Sequence, residues 1–202
     1  MFDIPSILKL HEETVRRWHE EEVDNPYEGF LELVCRQHAF NFRLWHEEDI
    51  ARSPDASDAE IAGVKRRIDQ LNQQRNDHIE LMDLAILDEL QRYGIQPDPI
   101  APLNTETPGS AIDRLSILAL RIFHMEEQAA RAEVEESHRR RAVDRLEILR
   151  VQKRDLSEAL GQLWDDIRLG KKRLKVYRQM KMYNDPSLNP YLYGKSREKA
   201  KR

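Results

Sequence analysis

The apolar residues of this chain recur at intervals of three and four through most of its 202 positions, which places their side chains on one face of an α-helix. The pattern predicts five long helices, over about residues 6–22, 27–52, 57–93, 110–137 and 143–170. The chain has only 7 glycines and a charged fraction of 35%, a composition that favours long amphipathic helices over sheet. We therefore predict an all-α helical bundle.

Turn and capping residues set the predicted helix boundaries. Asn25-Pro26 interrupts the apolar pattern, and Gly94 closes the third helix. Ser57 followed by Glu60 is a capping-box pattern and opens that helix. The segment Ile95–Gly109 contains four prolines and predicts a long loop, of the kind that is functional or packed along the surface.

The C-terminal region combines positive charge with aromatic residues. From Lys171 to Arg202 the chain has 11 Lys and Arg against 2 Asp and Glu, whereas the rest has 22 against 35. Such a segment docks on its own acidic body or reaches an anionic partner. Apolar and aromatic residues such as Leu174 and Tyr177 favour docking on the body, with a short basic helix to about Met182. We predict one domain over residues 1–193 and a disordered basic tail over 194–202.

The inward face of the third helix is interrupted by polar residues. Its predicted inward positions are Ile61, Lys65, Ile68, Asn72, Arg75, Ile79, Met82 and Ile86. A cation in an apolar stripe costs stability unless partners surround it. Other side chains or a ligand must therefore lie opposite this face.

The second and third helices are joined by a short link and should form an antiparallel hairpin. Counting outward from a turn near Asp55 places His38 opposite Asn72 and Asn41 opposite Asp69, and the fourth helix adds further polar residues. We predict a continuous polar layer as the candidate ligand-binding site, with ten members: His38, Asn41, Trp45, Lys65, Asp69, Asn72, Arg75, Asp113, Arg114 and His124.

Two interpretations of this layer stand side by side. It is a buried hydrogen-bond network that fixes the register of the helices, or it is a pocket for a polar or anionic small molecule. Arg75 requires a carboxylate or phosphate partner, which Asp69, Asp113 or a ligand could supply. Leu103–Ser110, just before the fourth helix, offers hydroxyls that either cap the helix or help to bind an anion.

Other classes of chemistry find little support in the sequence. The chain has a single Glu-x-x-His match, Glu135 to His138, no Cys cluster and no Gly-rich phosphate loop, so we predict no metal and no cofactor, and no catalytic residue is identified. The acidic body disfavours nucleic acid. The sequence contains no apolar run of about 18 residues, so it predicts no membrane span. The single Cys35, with no signal-peptide pattern at the N-terminus, predicts a cytoplasmic protein.

Four blocks of sequence together resemble one family. They are HAFNFRLWHEEDIAR at 38–52, KRRIDQLNQQRND at 65–77, PLNTETPGSAIDRLSILALRIFHM at 102–125 and YRQMKMYNDPSLNPYLY at 177–193. This chain resembles the bacterial domain-of-unknown-function family 4254, and nine of the ten polar-layer positions, all except His124, match its signature. The tendency of its members to be encoded near cell-envelope glycosyltransferase genes implies a glycan or sugar-phosphate context.

These observations lead to three functional hypotheses. The first is a cytoplasmic bundle that binds a polar or anionic, sugar-phosphate-like ligand through the polar layer, without established catalysis. The second is an adaptor that docks a protein partner, such as a cell-envelope glycan enzyme, through its C-terminal segment. The third is a hydrolase or transferase that acts on a phosphorylated sugar.

Overall fold

The computed structural model describes residues 3–178, 185 and 187–191, and it confirms the all-α class. Five helices follow one another along the chain and pack as a bundle, and the described residues contain no strand. The helices are α1 Ile4–Trp18, α2 Gly29–Ala51, α3 Asp58–Arg92, α4 Pro108–Ala130 and α5 Glu136–Arg168.

Local capping explains where three helices begin and where two end. Ser57 accepts a hydrogen bond from the Glu60 amide at the start of α3, as its sequence pattern predicts. Asp3 caps α1 and Thr107 caps α4 in the same way. Gly94 and Gly170 follow α3 and α5 with φ of 66° and 71°, a backbone conformation that favours glycine at a helix C-terminus.

Several predicted boundaries were wrong by a few residues. α1 ends at Trp18 rather than Glu22, because the chain leaves the helix in a turn in which the Glu20 amide donates to the carbonyl of Arg17. The break between α4 and α5 covers residues 131–135, earlier than the predicted Ser137. Glu135 is the N-cap of α5, so the polar residues that follow it form the first turn of α5 and not the end of α4.

Two antiparallel hairpins, α2–α3 and α4–α5, build most of the bundle, and α1 packs across α2 and α4. α4 lies at the centre and buries residues on most of its circumference along its first three turns, as its apolar pattern predicts. The main core draws residues from all five helices; its fully buried members include Ile7, Val34, Met82, Ile86, Ile112 and Leu120. Burial of these side chains is the main stabilising contribution to the fold.

The chain after α5 runs beside the long proline-rich loop instead of forming a helix. The Asp98 amide donates to the carbonyl of Gly170 (3.0 Å), and the Arg173 amide donates to that of Pro102 (3.0 Å). Leu103 and Arg173 form a single parallel bridge, and Leu174 packs against the core. The predicted basic helix was therefore wrong over residues 171–178, because the loop offers backbone partners to this segment.

The remaining C-terminal predictions are only partly covered by the described residues. Tyr177 and Tyr191 are 62% and 82% exposed, so neither acts as a buried anchor. The rest of the predicted basic helix, at 179–182, and the predicted tail, at 194–202, lie outside the described part of the chain. Within that part, none of the helices has an apolar stretch long enough to cross a membrane.

Candidate functional site

An ion pair between α3 and α4 forms the centre of the polar layer. Arg75 reaches Asp113 with two parallel hydrogen bonds, from Nε to Oδ1 (2.7 Å) and from a terminal nitrogen to Oδ2 (2.5 Å). The side chains of Arg75 and Asp113 are only 25% and 6% exposed. The hydrogen bonds from Arg75 to this carboxylate raise the pKa of the guanidinium. Of the partners considered for Arg75 at the sequence level, Asp113 is therefore the one it contacts.

α2 supplies two further donors to the same carboxylate. The side-chain amides of Gln37 and Asn41 donate to Oδ1 of Asp113 at 2.5 and 2.9 Å. Asn41 also donates to the hydroxyl of Ser116 at 2.8 Å. Asp113 therefore accepts four hydrogen bonds from two neighbouring helices, α2 and α3, which compensates the cost of burying a carboxylate.

His38 extends this network towards α1. Its Nδ1 atom forms a hydrogen bond with the Ser116 hydroxyl (2.7 Å), and its ring lies 4.6 Å from that of His11 and 5.3 Å from that of Trp18, centroid to centroid. Burial lowers the pKa of His38 to about 3 and that of His11 well below its usual value, so both imidazoles are neutral at pH 7. Ser116 is 0% exposed, which excludes a substrate from this serine–histidine pair in the described structure.

Another buried carboxylate occupies the N-terminus of α4. Oδ1 of Asp83 accepts a hydrogen bond from the Gly109 amide at 2.7 Å, while Thr107 accepts one from the Ser110 amide. Burial raises the pKa of Asp83 to about 6. The anion at this helix end is thus the protein's own side chain, which favours the capping interpretation of Leu103–Ser110 over ligand binding there.

Six predicted members of the layer do not join the network, and three of them lie on the surface. Lys65 and Asp69 pair with each other on the solvent side of α3, with side chains 65% and 51% exposed. Val64 takes the inward position instead and is fully buried. The prediction chose Lys65 because, counting back from Ile68, steps of three and of four residues both fit one helix face. Arg114 binds both carboxylate oxygens of Glu106 at 2.9 Å and is largely exposed.

The predicted hairpin exists, but its polar pairings were wrong. Arg67 and Glu47 join α3 to α2 near their connection, with Nε 2.7 Å from Oε1. His38 and Asn41 face α4 rather than Asn72 and Asp69, because α2 packs against α1 and α4 as well as against α3. Asn72 is half-buried on α3.

Trp45 and His124 form a separate aromatic site at the far end of α2. Their rings stack with centroids 4.7 Å apart and an interplanar angle of 8°. Nδ1 of His124 donates to the carboxylate of Glu127 at 2.7 Å, which fixes the orientation of the imidazole. The rings of His19 and His46 lie 5.0 and 6.1 Å from that of His124. Burial lowers the pKa of His46 in this cluster.

A groove of about 530 Å³ opens beside this stack, between α2, α4 and α5. We call it the Trp45 groove. Its apolar lining comes from Met125, Ile148 and Leu149. Its polar and aromatic lining comes from Trp45, Asp49, Arg121, His124, Gln128 and Arg145.

The two arginines distinguish the Trp45 groove from the cavity between α1, α4 and α5, which also contains cations. Arg121 and Arg145 are exposed, and neither forms an ion pair with a carboxylate among the described residues. The cavity between α1, α4 and α5 has a volume of about 440 Å³. Glu126 binds Arg16 and Arg150 there, and Glu12 binds Lys153. The cations of that cavity are paired with the protein's own carboxylates, whereas the Trp45 groove keeps two guanidiniums available.

Acidic side chains do not assemble into a metal centre within the described ranges, where no group of three or more His, Cys, Asp or Glu is placed to hold an ion. Asp83 bonds to the α4 backbone and Glu47 to Arg67, so these carboxylates are used within the fold. Cys35 is buried, and burial raises the pKa of its thiol to about 12. Such a thiol does not supply a nucleophilic thiolate at neutral pH.

Sequence reasoning missed four residues that matter in the structure. Gln37, Ser116 and His11 lie in or beside the buried network, and Arg145 lines the Trp45 groove. A signal existed for Ser116, because any polar residue on a helix that is apolar all round needs an internal partner. No such signal existed for Arg145, which lies on the polar side of α5.

Comparison with known proteins finds no match among curated proteins and none among solved structures. The family described as protein of unknown function, DUF4254, matches residues 31–176, a range that includes every polar-layer residue and all the lining of the Trp45 groove. This match covers most of the chain and includes the first three of the four sequence blocks that carry the resemblance, whereas the fourth block, at 177–193, lies beyond the matched range. The chain belongs to the DUF4254 family.

Proposed function

We propose that this protein binds an anionic, sugar-phosphate-like small molecule in the Trp45 groove. One observation carries the proposal: the groove combines a rigid Trp45–His124 stack with two guanidiniums, Arg121 and Arg145, that lack a carboxylate partner within the described part of the chain. Exposed arginines beside an aromatic wall suit a ligand with a ring at one end and a phosphate at the other.

Each part of the groove has a chemical role in this proposal. Arg121 and Arg145 bind phosphate oxygens through charge-assisted hydrogen bonds. The indole of Trp45 offers an apolar, planar surface to the C–H face of a sugar ring. Asp49 accepts hydrogen bonds from sugar hydroxyls, and Gln128 donates to them through its side-chain NH2 group, because its Oε1 already binds Arg131 and His138. Such pairing disfavours ligands that lack those hydroxyls.

The buried network then acts as the support of the site rather than as the site itself. Asn41 lies one helical turn before Trp45 on α2 and is held by Asp113 and Ser116 of α4. His124 is carried by α4 as well. Bonds between the two helices therefore fix the distance between the two halves of the aromatic stack, which preorganises the groove.

Binding without catalysis is the form of the hypothesis that fits the side chains best. Ser116 and Cys35 are buried, and neither lines the groove. The groove lining therefore offers no serine, threonine or cysteine nucleophile to the hydrolase or transferase hypothesis. The adaptor hypothesis and the cytoplasmic location remain sequence-based predictions.

Isothermal titration calorimetry of the full chain tests the proposal. Glucose 1-phosphate, glucose 6-phosphate, inorganic phosphate and glucose form the panel. We expect at least one sugar phosphate to bind and glucose alone to bind much more weakly. Arg121→Gln and Arg145→Gln should each weaken binding by about tenfold or more, since each removes a charge-assisted contact.

Arg66→Gln is the matched control, because Arg66 is an exposed arginine of α3 outside the groove. It should leave affinity unchanged, and all three variants should unfold at the wild-type urea concentration. Equal weakening by Arg66→Gln would mean that general charge attraction explains the binding. Sugar phosphates that bind wild type and both groove variants equally would place the ligand elsewhere and overturn the proposal.

A further inference from the structure

The Trp45 groove continues along the seam between α4 and α5. A second cavity of about 630 Å³ adjoins it and is lined by Glu106, Arg114, Gln152 and Asp155 among others. Arg121 lines both cavities. The Arg121 guanidinium therefore connects the two cavities.

Helix periodicity makes the two cavities one continuous groove. On α4 the lining positions run from Arg114 to Gln128 in steps of three and four, and on α5 from Arg145 to Ala159 in the same way. Such steps mark a single face of each helix. Fourteen residues of helix correspond to roughly 21 Å, which is longer than a sugar phosphate needs.

The positive charges without a carboxylate partner in the described residues lie at the middle of this groove, at Arg121, and at its Trp45 end, at Arg145. Arg121 lies between the cavities and has no carboxylate partner in the described residues. At the far end Arg114 is neutralised by Glu106, and Asp155 and Gln152 present acceptor oxygens. The far end therefore suits hydroxyl and amino donors, while the middle suits an anion.

We infer that the ligand of this groove is a pyrophosphate diester, in which two ring-bearing groups are joined through phosphates that lie against Arg121, with Arg145 bound to the phosphate on the sugar side. This inference rests on the proposed function and extends it to the second cavity. The sugar lies at the Trp45 end, and a nucleoside occupies the end lined by Glu106, Gln152 and Asp155. A ligand with its phosphate at one terminus would leave the end lined by Glu106, Gln152 and Asp155 unoccupied.

Calorimetry with a two-part ligand and its halves tests the inference. The probes are UDP-glucose, glucose 1-phosphate and UMP. Joining two binding groups through a linker of fitting length raises affinity without new contacts, so UDP-glucose should bind at least about a hundredfold tighter than either half. Arg121→Gln should weaken all three, because all three place a phosphate at this residue.

Ala159→Leu separates the two ends of the groove. Ala159 is an exposed residue that lines only the second cavity, so the larger side chain should fill that cavity without disturbing the core. UDP-glucose and UMP should lose about tenfold or more in affinity, and glucose 1-phosphate should lose none. Ala62→Leu, at an exposed alanine of α3, is the matched control and should change no affinity.

The outcomes distinguish this inference from the proposed function. If glucose 1-phosphate binds through Arg121 and UDP-glucose binds no tighter, or Ala159→Leu affects both equally, the two-part ligand is wrong and the Trp45 groove stands. If no probe binds, or if the probes bind and Arg121→Gln weakens none of them, both proposals fail together.

Discussion

The Arg75–Asp113 network and the Trp45 groove both contain arginine on the inner helices, yet they differ in how the charge is compensated. Asp113 accepts two hydrogen bonds from Arg75 and two more from α2, and the pair is mostly buried. Arg121 and Arg145 lie at the surface, and the described residues give neither a carboxylate. An arginine that is bound internally positions helices, whereas one that lacks an internal partner is available to a ligand. The comparison therefore moves the candidate site from the buried layer to the groove beside it.

The largest expected effect comes from breaking the buried pair. Arg75→Met leaves the Asp113 carboxylate without its counter-charge, and the loss of one partner of a buried pair costs about 3–5 kcal/mol. Lys65→Met is the matched control, because the exposed pair of Lys65 with Asp69 contributes about 0–1 kcal/mol. Urea denaturation followed by circular dichroism measures both. A free energy of unfolding that is equal in the two variants would contradict the structural role of Arg75.

The next largest effect is expected where α3 packs closely against the start of α4, at Gly109. A Cβ added at Gly109 would lie 2.7 Å from the carbonyl oxygen of Ile79 and 2.8 Å from Oδ1 of Asp83. Gly109→Ala should therefore destabilise the protein by about 1–3 kcal/mol, because backbone must shift to accept the methyl group.

Gly63→Ala provides the opposite case within α3. A Cβ there meets only the flexible end of Arg67 at 3.5 Å, so the change should stabilise the helix by about 0.5–1 kcal/mol. Thermal melting of the two variants measures the contrast. A Gly109→Ala variant that melts above wild type would show that α3 and α4 pack less tightly than the structure indicates.

The smallest expected effect is the pH dependence of the free energy of unfolding that arises from the buried titratable groups. The pKa values of His11 and His38 are lowered by burial, so below pH 6.5 the unfolded chain binds protons that the folded chain does not. Their contribution to stability is present above pH 6.5 and is lost as the pH falls, by up to about 1.4 kcal/mol per pH unit for each histidine. Asp83 acts in the opposite direction, because its pKa is raised to about 6 and stability falls as the pH rises from about 4 to 6.

His11→Leu isolates one of the two histidines. Neither ring nitrogen of His11 has a hydrogen-bond partner within the described residues, so leucine removes the titration without breaking a bond. We expect the loss of stability between pH 6.5 and 5 to become shallower by about 1.4 kcal/mol per unit, measured by urea denaturation at each pH. A slope identical to that of wild type would mean that His11 is not buried as a neutral imidazole.

The fold was predictable from the sequence because its information is local and repeated. Five helices, the α2–α3 hairpin and the central position of α4 all follow from apolar spacing and turn residues. The register at Lys65 was not predictable in this way. Val64 and Lys65 both fit the periodicity, and only the packing of neighbouring helices decides between them.

The candidate site was predictable only in part, for a related reason. Arg75 and Asp113 were predictable because each is a charged residue on a helix face that is otherwise apolar. Trp45 and His124 were named as candidates, but their stack depends on the crossing of α2 and α4, which periodicity does not determine. The Trp45 groove is formed by three helices that are distant in sequence, and Arg145 looks from its own helix like an ordinary solvent-facing residue.

The parallel bridge between Leu103 and Arg173 has a consequence for the order of folding. It closes a segment of roughly 70 residues, whereas the α2–α3 and α4–α5 hairpins join neighbours along the chain. Contacts between neighbours form early because they cost little chain entropy, and distant ones form late. The segment after α5 and the proline-rich loop should therefore come together only after both hairpins exist, so this bridge at one edge of the bundle forms when the two hairpins have already folded.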